Sequence, residues 1–242
     1  MRVAVISDVH ANERALAVVL DAIEAARADE VWCLGDTVGY GPAPNRCCEL
    51  VSERADLALI GNHDLVVIGR LDAADFNSEA AAAALWTRER LDDRARAWLE
   101  GLEPSGKRDD VALFHASARD PVWEYVLSGD AALASLELTP EPLVLVGHSH
   151  VALGIGLTGH SLAGGLAPAG TTIDLASGRW LLNPGSVGQP RDGDPRAAWL
   201  ELDLEAGTAR FHRLDYDIAR TQAEIREAGL PEPLAARLAQ GI

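Results

Sequence analysis

Histidine, aspartate and asparagine recur in short polar clusters along this chain, and each cluster directly follows an apolar run. The runs RVAVIS, VWCL, LALI, VALF and LVLV are typical of buried strands. Open α/β sheets bind ligands at the carboxyl ends of their strands, and imidazoles and carboxylates suit divalent transition metals. The pattern therefore predicts a metal centre where the strand ends converge. The clusters are Asp8-Val9-His10, Gly35-Asp36, Gly61-Asn62-His63-Asp64, His115 and Gly147-His148-Ser149-His150.

The clusters supply enough ligands for two metal ions that share one carboxylate. Asp8 and His10 are two positions apart, as are His148 and His150, so each pair can leave its strand end toward one side. Asp36 follows a glycine, which lets the backbone approach an ion closely. A bridging carboxylate holds two ions about 3.5–4 Å apart in two-metal hydrolases. Each cluster alone is compatible with an ordinary turn, but their joint occurrence in this order favours a metal centre.

Alternating strands and amphipathic helices in the first 150 residues predict a largely parallel sheet with helices packed on it. After residue 150, short strand-like segments between Gly, Pro and Asp turns predict a second, mainly antiparallel sheet. Residues 154–170 are predicted to form a hairpin or a mobile loop, and 217–240 one or two helices. We expect one domain over residues 1–242, with two sheets face to face and helices outside. The predicted strands are 2–7, 31–34, 57–60, 111–115, 143–147, 151–157, 171–175, 179–182, 197–204 and 208–214, and the other predicted helices are 13–27, 45–54, 79–91, 93–101 and a short one near 130–136.

The composition and net charge limit the kinds of partner and the cellular compartment that we expect for this chain. The formal net charge is −16, and Lys107 is the only lysine, so a long nucleic acid is not expected as a partner. No apolar run reaches the roughly 18 residues of a membrane span, and no signal peptide is expected from the start MRVAVISDVH. The three cysteines form no CxxC pair, which suits a reducing cytosol. We therefore expect a cytoplasmic protein, and oligomeric state is not readable from the sequence.

The five clusters together resemble the calcineurin-like metallophosphoesterase superfamily, and the resemblance runs from Met1 to about Asp215. GDTVGYGPAPNRC, HASARDPVWEYV and NPGSVGQPRDGDPRAAW are most similar to a group of small bacterial and archaeal phosphoesterases. That group is related to the diadenosine-tetraphosphatase and protein-phosphatase branch. The resemblance implies an α/β fold, an αββα sandwich of two mixed β-sheets flanked by helices, with metals at the top of the sheets.

The resemblance also implies a role for each motif residue. His63 would face the leaving-group oxygen as a proton donor or charge stabiliser, with Asp64 orienting its imidazole. A hydroxide generated at two divalent ions (Mn, Fe, Zn, Co or Ni) would attack phosphorus directly, without a nucleophilic side chain. Asp8, His10 and His150 would hold the first metal, Asn62, His115 and His148 the second, and Asp36 would bridge them.

Substrate contacts are predicted on weaker grounds. Arg119 and Arg191 lie in loops after or near the motifs, and either arginine can pair with a phosphate or form a surface salt bridge. Trp123 and Tyr125 can stack on a nucleobase or belong to the core. The leading hypothesis is a metal-dependent phosphoesterase acting on a small phosphorylated substrate, a phosphodiester or nucleotide first. The alternatives are a phosphoprotein phosphatase, a non-catalytic metal-binding scaffold, and a mononuclear zinc hydrolase that would not need both Asp36 as a bridge and Asn62.

Overall fold

Two six-stranded sheets and eight α-helices make up the computed structural model of the chain, which describes residues 1–242. None of the helices combines the length and the hydropathy that a membrane span requires. Short 3₁₀ turns lie at 73–75, 175–177 and 237–239. In chain order the elements are β1 (Arg2–Ile6), α1 (Glu13–Ala26), β2 (Glu30–Cys33), α2 (Pro44–Arg54), β3 (Leu57–Ala58), α3 (Asn62–Ile68), α4 (Ser78–Arg90), α5 (Asp93–Glu100), β4 (Ser105–Arg108), β5 (Val111–Phe114), α6 (Gly129–Leu138), β6 (Leu143–Leu145), β7 (Leu153–Thr158), β8 (Ser161–Leu166), β9 (Thr172–Asp174), β10 (Arg179–Asn183), β11 (Ala197–Asp203), β12 (Thr208–Leu214), α7 (Ile218–Glu227) and α8 (Glu232–Ala236).

Each sheet combines early and late strands of the chain. The first sheet has the order β3-β2-β1-β11-β12-β9, and the second has the order β4-β5-β6-β10-β7-β8. Strands β1, β2 and β3 pair in parallel, whereas β11 joins β1 antiparallel. In the second sheet β10 pairs parallel with β6 and antiparallel with β7. The predicted sandwich of two mixed sheets is confirmed, but the division into an early parallel and a late antiparallel sheet was wrong.

The alternation of side chains along β1 explains how the layers stack. Val3 and Val5 point into the space between the two sheets, where they pack with Leu113 and Leu145 of the second sheet. Ala4 and Ile6 point the other way, toward α1 and α2. Because the residues on both faces of β1 are apolar, the strand is buried on both sides. Helix α6 covers the outer face of the second sheet in the same manner, which completes the αββα order.

Polar side chains cap the starts of several helices. Asn12 accepts the Ala15 backbone N–H at 3.2 Å, and Asp92 accepts that of Ala95 at 2.8 Å. The hairpin predicted within residues 154–170 is present and consists of β7 and β8, residues 153–166. Two elements were missed. Strand β4 (SGKR) has no apolar side chain and lies at the sheet edge. Helix α3 begins inside the GNHD motif.

Candidate metal centre

The predicted ligands lie at the carboxyl ends of strands from both sheets, and all of them are buried. The first sheet supplies Asp8 and His10 after β1, Asp36 after β2 and Asn62 after β3. The second sheet supplies the ligands after β5 and β6. Five ligands have a positive φ between 50° and 62°, a conformation that costs a non-glycine residue about 1–3 kcal/mol and that clusters at functional sites. These five are Asp8, His10, Asp36, His148 and His150.

One group of ligand atoms gathers around Asp8. The Nε2 atoms of His10 and His150 are 3.0 Å apart. His150 Nε2 lies 3.4 Å from Asp8 Oδ1, and His10 Nε2 lies 3.6 Å from Asp36 Oδ2. All four ligand atoms lie within 4.8 Å of one another, so a single cation can contact the whole group.

A second group lies on the other side of Asp36. His115 Nε2 is 3.6 Å from Asp36 Oδ2 and 3.2 Å from Asn62 Oδ1. His148 completes this group with Asp36 and His115. Asp36 Oδ2 therefore lies 3.6 Å from an imidazole nitrogen of each group, where a shared carboxylate belongs.

Hydrogen bonding leaves unprotonated imidazole nitrogens at the centre of both groups. Nδ1 of His10, His115 and His150 donates to a backbone carbonyl at 3.1, 2.9 and 2.6 Å, so each Nε2 is an acceptor. Asp8 Oδ1 and Asp36 Oδ2 are buried without any hydrogen-bond partner. Converging buried acceptors without donors are costly, and a divalent cation satisfies them all. The residues present therefore fit a metal centre.

Burial sets the ionisation of the same residues. It raises the pKa of Asp8 to about 7 and that of Asp36 well above its ordinary value. It lowers the pKa of His115 to about 4 and that of His148 to about 3. The imidazoles are therefore neutral at pH 7, the form in which histidine binds a metal.

His63 lies beside this centre, at the second residue of α3, and is buried. Its ring centroid is 4.9 Å from that of His10, and its Nδ1 has no hydrogen-bond partner. Burial lowers the pKa of His63 well below its ordinary value. The side chain is thus positioned next to the two groups of ligands without being part of either.

The structure corrects the expectation that Asp64 orients the imidazole of His63. Asp64 Oδ2 accepts the backbone N–H groups of Gly61 and Thr37 at 3.0 and 3.2 Å, and Oδ1 accepts that of Val38 at 2.9 Å. Because Asp64 is the third residue of α3, its carboxylate folds back onto the amides that precede the helix. Its role is to join the GNHD turn to the loop after Asp36.

The two predicted substrate arginines have different environments. Arg119 is about half exposed and forms a two-pronged ion pair with Glu124, so its guanidinium is already neutralised. Arg191 has no acidic partner: it donates to Tyr40 Oη at 3.2 Å and to Gln189 Oε1 at 2.9 Å. Its charge contributes to lowering the pKa of both His10 and His63. Arg191 is therefore the arginine that the fold brings to the metal centre.

Several supporting residues were only partly visible in the sequence. Asn183 donates to Gly147 O at 2.7 Å, and Ser186 donates to Asp8 O at 2.7 Å, so the NPGS turn ties together the loops after β1 and β6. Gly61 leaves room for Asp36, whose Oδ1 would lie 2.0 Å from a Cβ there. Tyr40, between two glycines in GDTVGYG, packs on both His10 and His63 and was missed.

Similarity to known proteins agrees with this geometry. Two sheets that meet at a buried histidine and carboxylate cluster define a class of metal-binding α/β sandwich. A family model described as the calcineurin-like phosphoesterase superfamily domain matches residues 1–205, and the chain belongs to this superfamily.

Three relatives span nearly the whole chain. An uncharacterised protein of Methanocaldococcus jannaschii is 35% identical over 99% of this chain and 98% of its own. The crystal structure of a metallophosphoesterase from Sphaerobacter thermophilus is 44% identical, with a TM-score of 0.89 over 100% of this chain and 99% of that one. A hypothetical protein from Pyrococcus horikoshii, 19% identical, has the same fold, with a TM-score of 0.82 over 100% of this chain and 98% of that one.

Proposed function

We propose that the protein is a metal-dependent phosphoesterase that hydrolyses a small phosphate ester, a phosphodiester or a nucleotide. The observation that carries this proposal is the convergence of acceptor atoms without donors beside His63 and Arg191. In the proposal, Asp8, His10 and His150 hold one divalent ion, Asn62, His115 and His148 hold a second, and Asp36 contacts both. Mixed imidazole and oxygen ligation accepts Mn, Fe, Zn, Co or Ni. When bound, such ions lower the pKa of water and neutralise phosphoryl charge.

Arg191 is the residue that we assign to the phosphoryl oxygens. Its guanidinium is partly buried and has no carboxylate partner, so it is free to pair with an anionic substrate. The hydrogen bonds of Arg191 to Tyr40 and Gln189 fix the orientation of the guanidinium. Arg119, held by Glu124, is assigned a structural role instead.

His63 is assigned to the leaving-group oxygen. The imidazole is neutral at pH 7 because burial lowers its pKa, and one ring N–H can donate a hydrogen bond to that oxygen as its bond to phosphorus breaks. Asp64 supports this role indirectly, by fixing the start of α3 through the amides of Gly61 and Val38.

Aromatic side chains near the site support an ester with a flat group. Tyr125 is half exposed and stacks on His148 at 4.1 Å between centroids, with 12° between the ring planes. A nucleobase can continue this stack on the open face of Tyr125. Trp123 is held edge-on to Phe76 at 5.8 Å and is assigned to the wall of the site. The net charge of −16 disfavours acidic phosphopeptides.

The test is hydrolysis of bis-p-nitrophenyl phosphate and p-nitrophenyl phosphate by metal-stripped protein, with Mn²⁺, Zn²⁺, Co²⁺ or Ni²⁺ added back. We expect turnover only with metal, a loss of about 10²–10⁴-fold in kcat for His63→Ala, and a raised KM for Arg191→Ala. Arg119→Ala is the matched control, because it removes an arginine that already has a carboxylate partner.

Turnover of neither ester with any metal, despite bound ions, would overturn the proposal in favour of a binding scaffold. An equal response to Arg191→Ala and Arg119→Ala would remove the assignment of Arg191. The preferred ester separates a diesterase from a monoesterase, and assays with nucleotides and phosphopeptides then identify the substrate class.

A further inference from the structure

The imidazole of His63 packs against two aromatic rings. The ring of Tyr40 is 4.3 Å away, centroid to centroid, at an interplanar angle of 50°, and the ring of Phe76 is 4.4 Å away at 30°. No side chain or carbonyl hydrogen-bonds to His63 Nδ1. The orientation of this ring is therefore set by packing alone.

The backbone of Gly39 occupies the place from which a polar side chain would reach His63. A Cβ at Gly39 would lie 2.6 Å from His63 Nδ1, and its φ of +88° favours glycine. The neighbouring carboxylate, Asp64, is committed to three backbone amides. No carboxylate therefore hydrogen-bonds to Nδ1 of this imidazole.

Tyr40 is itself firmly held. Its hydroxyl accepts a hydrogen bond from Arg191 at 3.2 Å, and its ring lies 4.6 Å from that of His10. The rest of the ring packs into a cluster with Leu234 and Leu238 of the C-terminal segment, beyond the residues that the family model matches. Only 7% of Tyr40 is exposed. The His63 ring therefore meets one firmly held ring, Tyr40, and a second ring, Phe76, that is partly exposed.

We propose that Tyr40 and Phe76 form an aromatic clamp that positions His63 toward the leaving group, in the place of a hydrogen-bonding carboxylate. The proposal rests on the proposed function of His63. Without a hydrogen bond to Nδ1, a histidine ring rotates about χ2 unless its neighbours prevent it. Phe76 and Tyr40 are positioning residues: they touch the imidazole and not the phosphate.

The test uses methyl aryl phosphodiesters with a good leaving group (p-nitrophenol) and a poor one (phenol) on the metal-loaded protein. Help from His63 matters most for the poor leaving group, so we expect Phe76→Leu to lower kcat for the phenyl ester about 10-fold more than for the p-nitrophenyl ester. Phe76→Tyr, which keeps the ring, is expected to keep the wild-type ratio of kcat for the two esters. In a His63→Ala background Phe76→Leu leaves the ratio unchanged. Tyr40→Phe also keeps the ratio but raises KM, because only the bond to Arg191 is lost.

The control is Phe211→Leu, which removes a buried aromatic ring from the core between the sheets and changes stability without changing the ratio. An unchanged ratio in Phe76→Leu, when His63→Ala does change it, overturns the clamp. If His63→Ala leaves the ratio unchanged, or if no ester is hydrolysed, the proposed function of His63 fails instead.

A readout without turnover tests the clamp in either case. Ring currents from Tyr40 and Phe76 shift the Hε1 proton of His63, whose NMR signal is assigned by its loss in His63→Ala. We expect this signal to move in Phe76→Leu and to broaden as the ring gains freedom. A sharp signal at the wild-type position in Phe76→Leu would show that Phe76 does not hold the ring.

Discussion

Asp36 accepts the backbone N–H of His63 at 2.9 Å through Oδ1, while its Oδ2 lies 3.6 Å from Nε2 of His10 and of His115. One carboxylate thus joins the start of α3 to both groups of ligand atoms. Because Gly61 has no side chain, Asp36 can approach the turn closely enough for this. A change at Asp36 should therefore affect metal content and His63 together.

Asp36→Asn tests the shared ligand. The amide oxygen can still accept the His63 N–H, so the fold is expected to persist, but the NH₂ group would face the lone pairs of the two imidazoles. We expect metal affinity to fall by about 10–100-fold or more and the metal content to drop from about two ions per chain to one or none. Mass spectrometry of dialysed protein measures this content.

Asp217→Asn is the matched control for that change. Asp217 caps α7 by accepting the Arg220 N–H at 2.9 Å, away from the ligands. Its replacement is expected to leave metal content unchanged. Two ions per chain retained in Asp36→Asn, with activity intact, would favour a centre that does not share this carboxylate.

Metal affinity should depend on pH through the buried carboxyl groups. Burial raises the pKa of Asp8 to about 7 and that of Asp36 well above its ordinary value, so the metal-free protein keeps protons there that a cation must displace. Burial lowers the pKa of the histidines, so these are already neutral at pH 6 and compete little. We expect weaker binding at pH 6 than at pH 8, with proton release on binding, measured by titration calorimetry in two buffers.

The raised pKa of Asp8 also makes the stability of the metal-free protein depend on pH. A carboxyl whose pKa is higher in the folded chain binds its proton better there, so ionisation of Asp8 opposes folding of the metal-free protein increasingly as the pH rises from about 4 to about 7. Added metal removes this penalty. Equal affinity at pH 6 and pH 8 would contradict the expectation, and Asp8→Asn should reduce the proton release.

The strand order could not be predicted from the sequence, although the two-sheet sandwich could. Alternation of apolar residues marks β11 as a strand, but it does not specify that Leu200 lies beside Val5 in the first sheet. The interior between the sheets is built from Val, Leu and Trp side chains of both halves of the chain. Such residues pack interchangeably, so partner choice depends on connections that local pattern does not encode.

The candidate centre was more predictable than its surroundings. The seven predicted ligands each follow the carboxyl end of a strand, and within each sheet these parallel strands end on the same side. The sequence marks those strand ends without specifying the order of the strands. Packing partners such as Tyr40 and Phe76 depend on the path of loops. Asp64 shows the limit: its place next to His63 in the chain favoured a hydrogen bond, but the helix turns its carboxylate toward amides of another loop.

All three cysteine thiols should be unreactive in the folded protein. Cys33, Cys47 and Cys48 are buried, and burial raises the pKa of Cys33 to about 12 and that of the other two further above the ordinary value. We expect no rapid reaction with Ellman's reagent in native protein and three reactive thiols in guanidinium chloride. Rapid modification of Cys47 or Cys48 in the native protein would show that α2, which carries both, opens locally.

The loop that carries Arg191 should depend on a buried ion pair between Asp192 and Arg213. The two side chains are only 7% and 3% exposed. Asp192 also accepts the Ala152 N–H at 3.0 Å, next to the ligand loop of the second sheet. Arg213→Ala leaves this carboxylate buried without its partner, and we expect a loss of about 3–5 kcal/mol in the free energy of unfolding, measured with urea. The substrate KM should rise as well, because Arg191 is the preceding residue.

Arg226→Ala is the control, because it removes a surface pair with Glu232, and it should change neither the free energy of unfolding nor the KM measurably. A small and equal effect of both substitutions would show that the buried pair does not hold this loop.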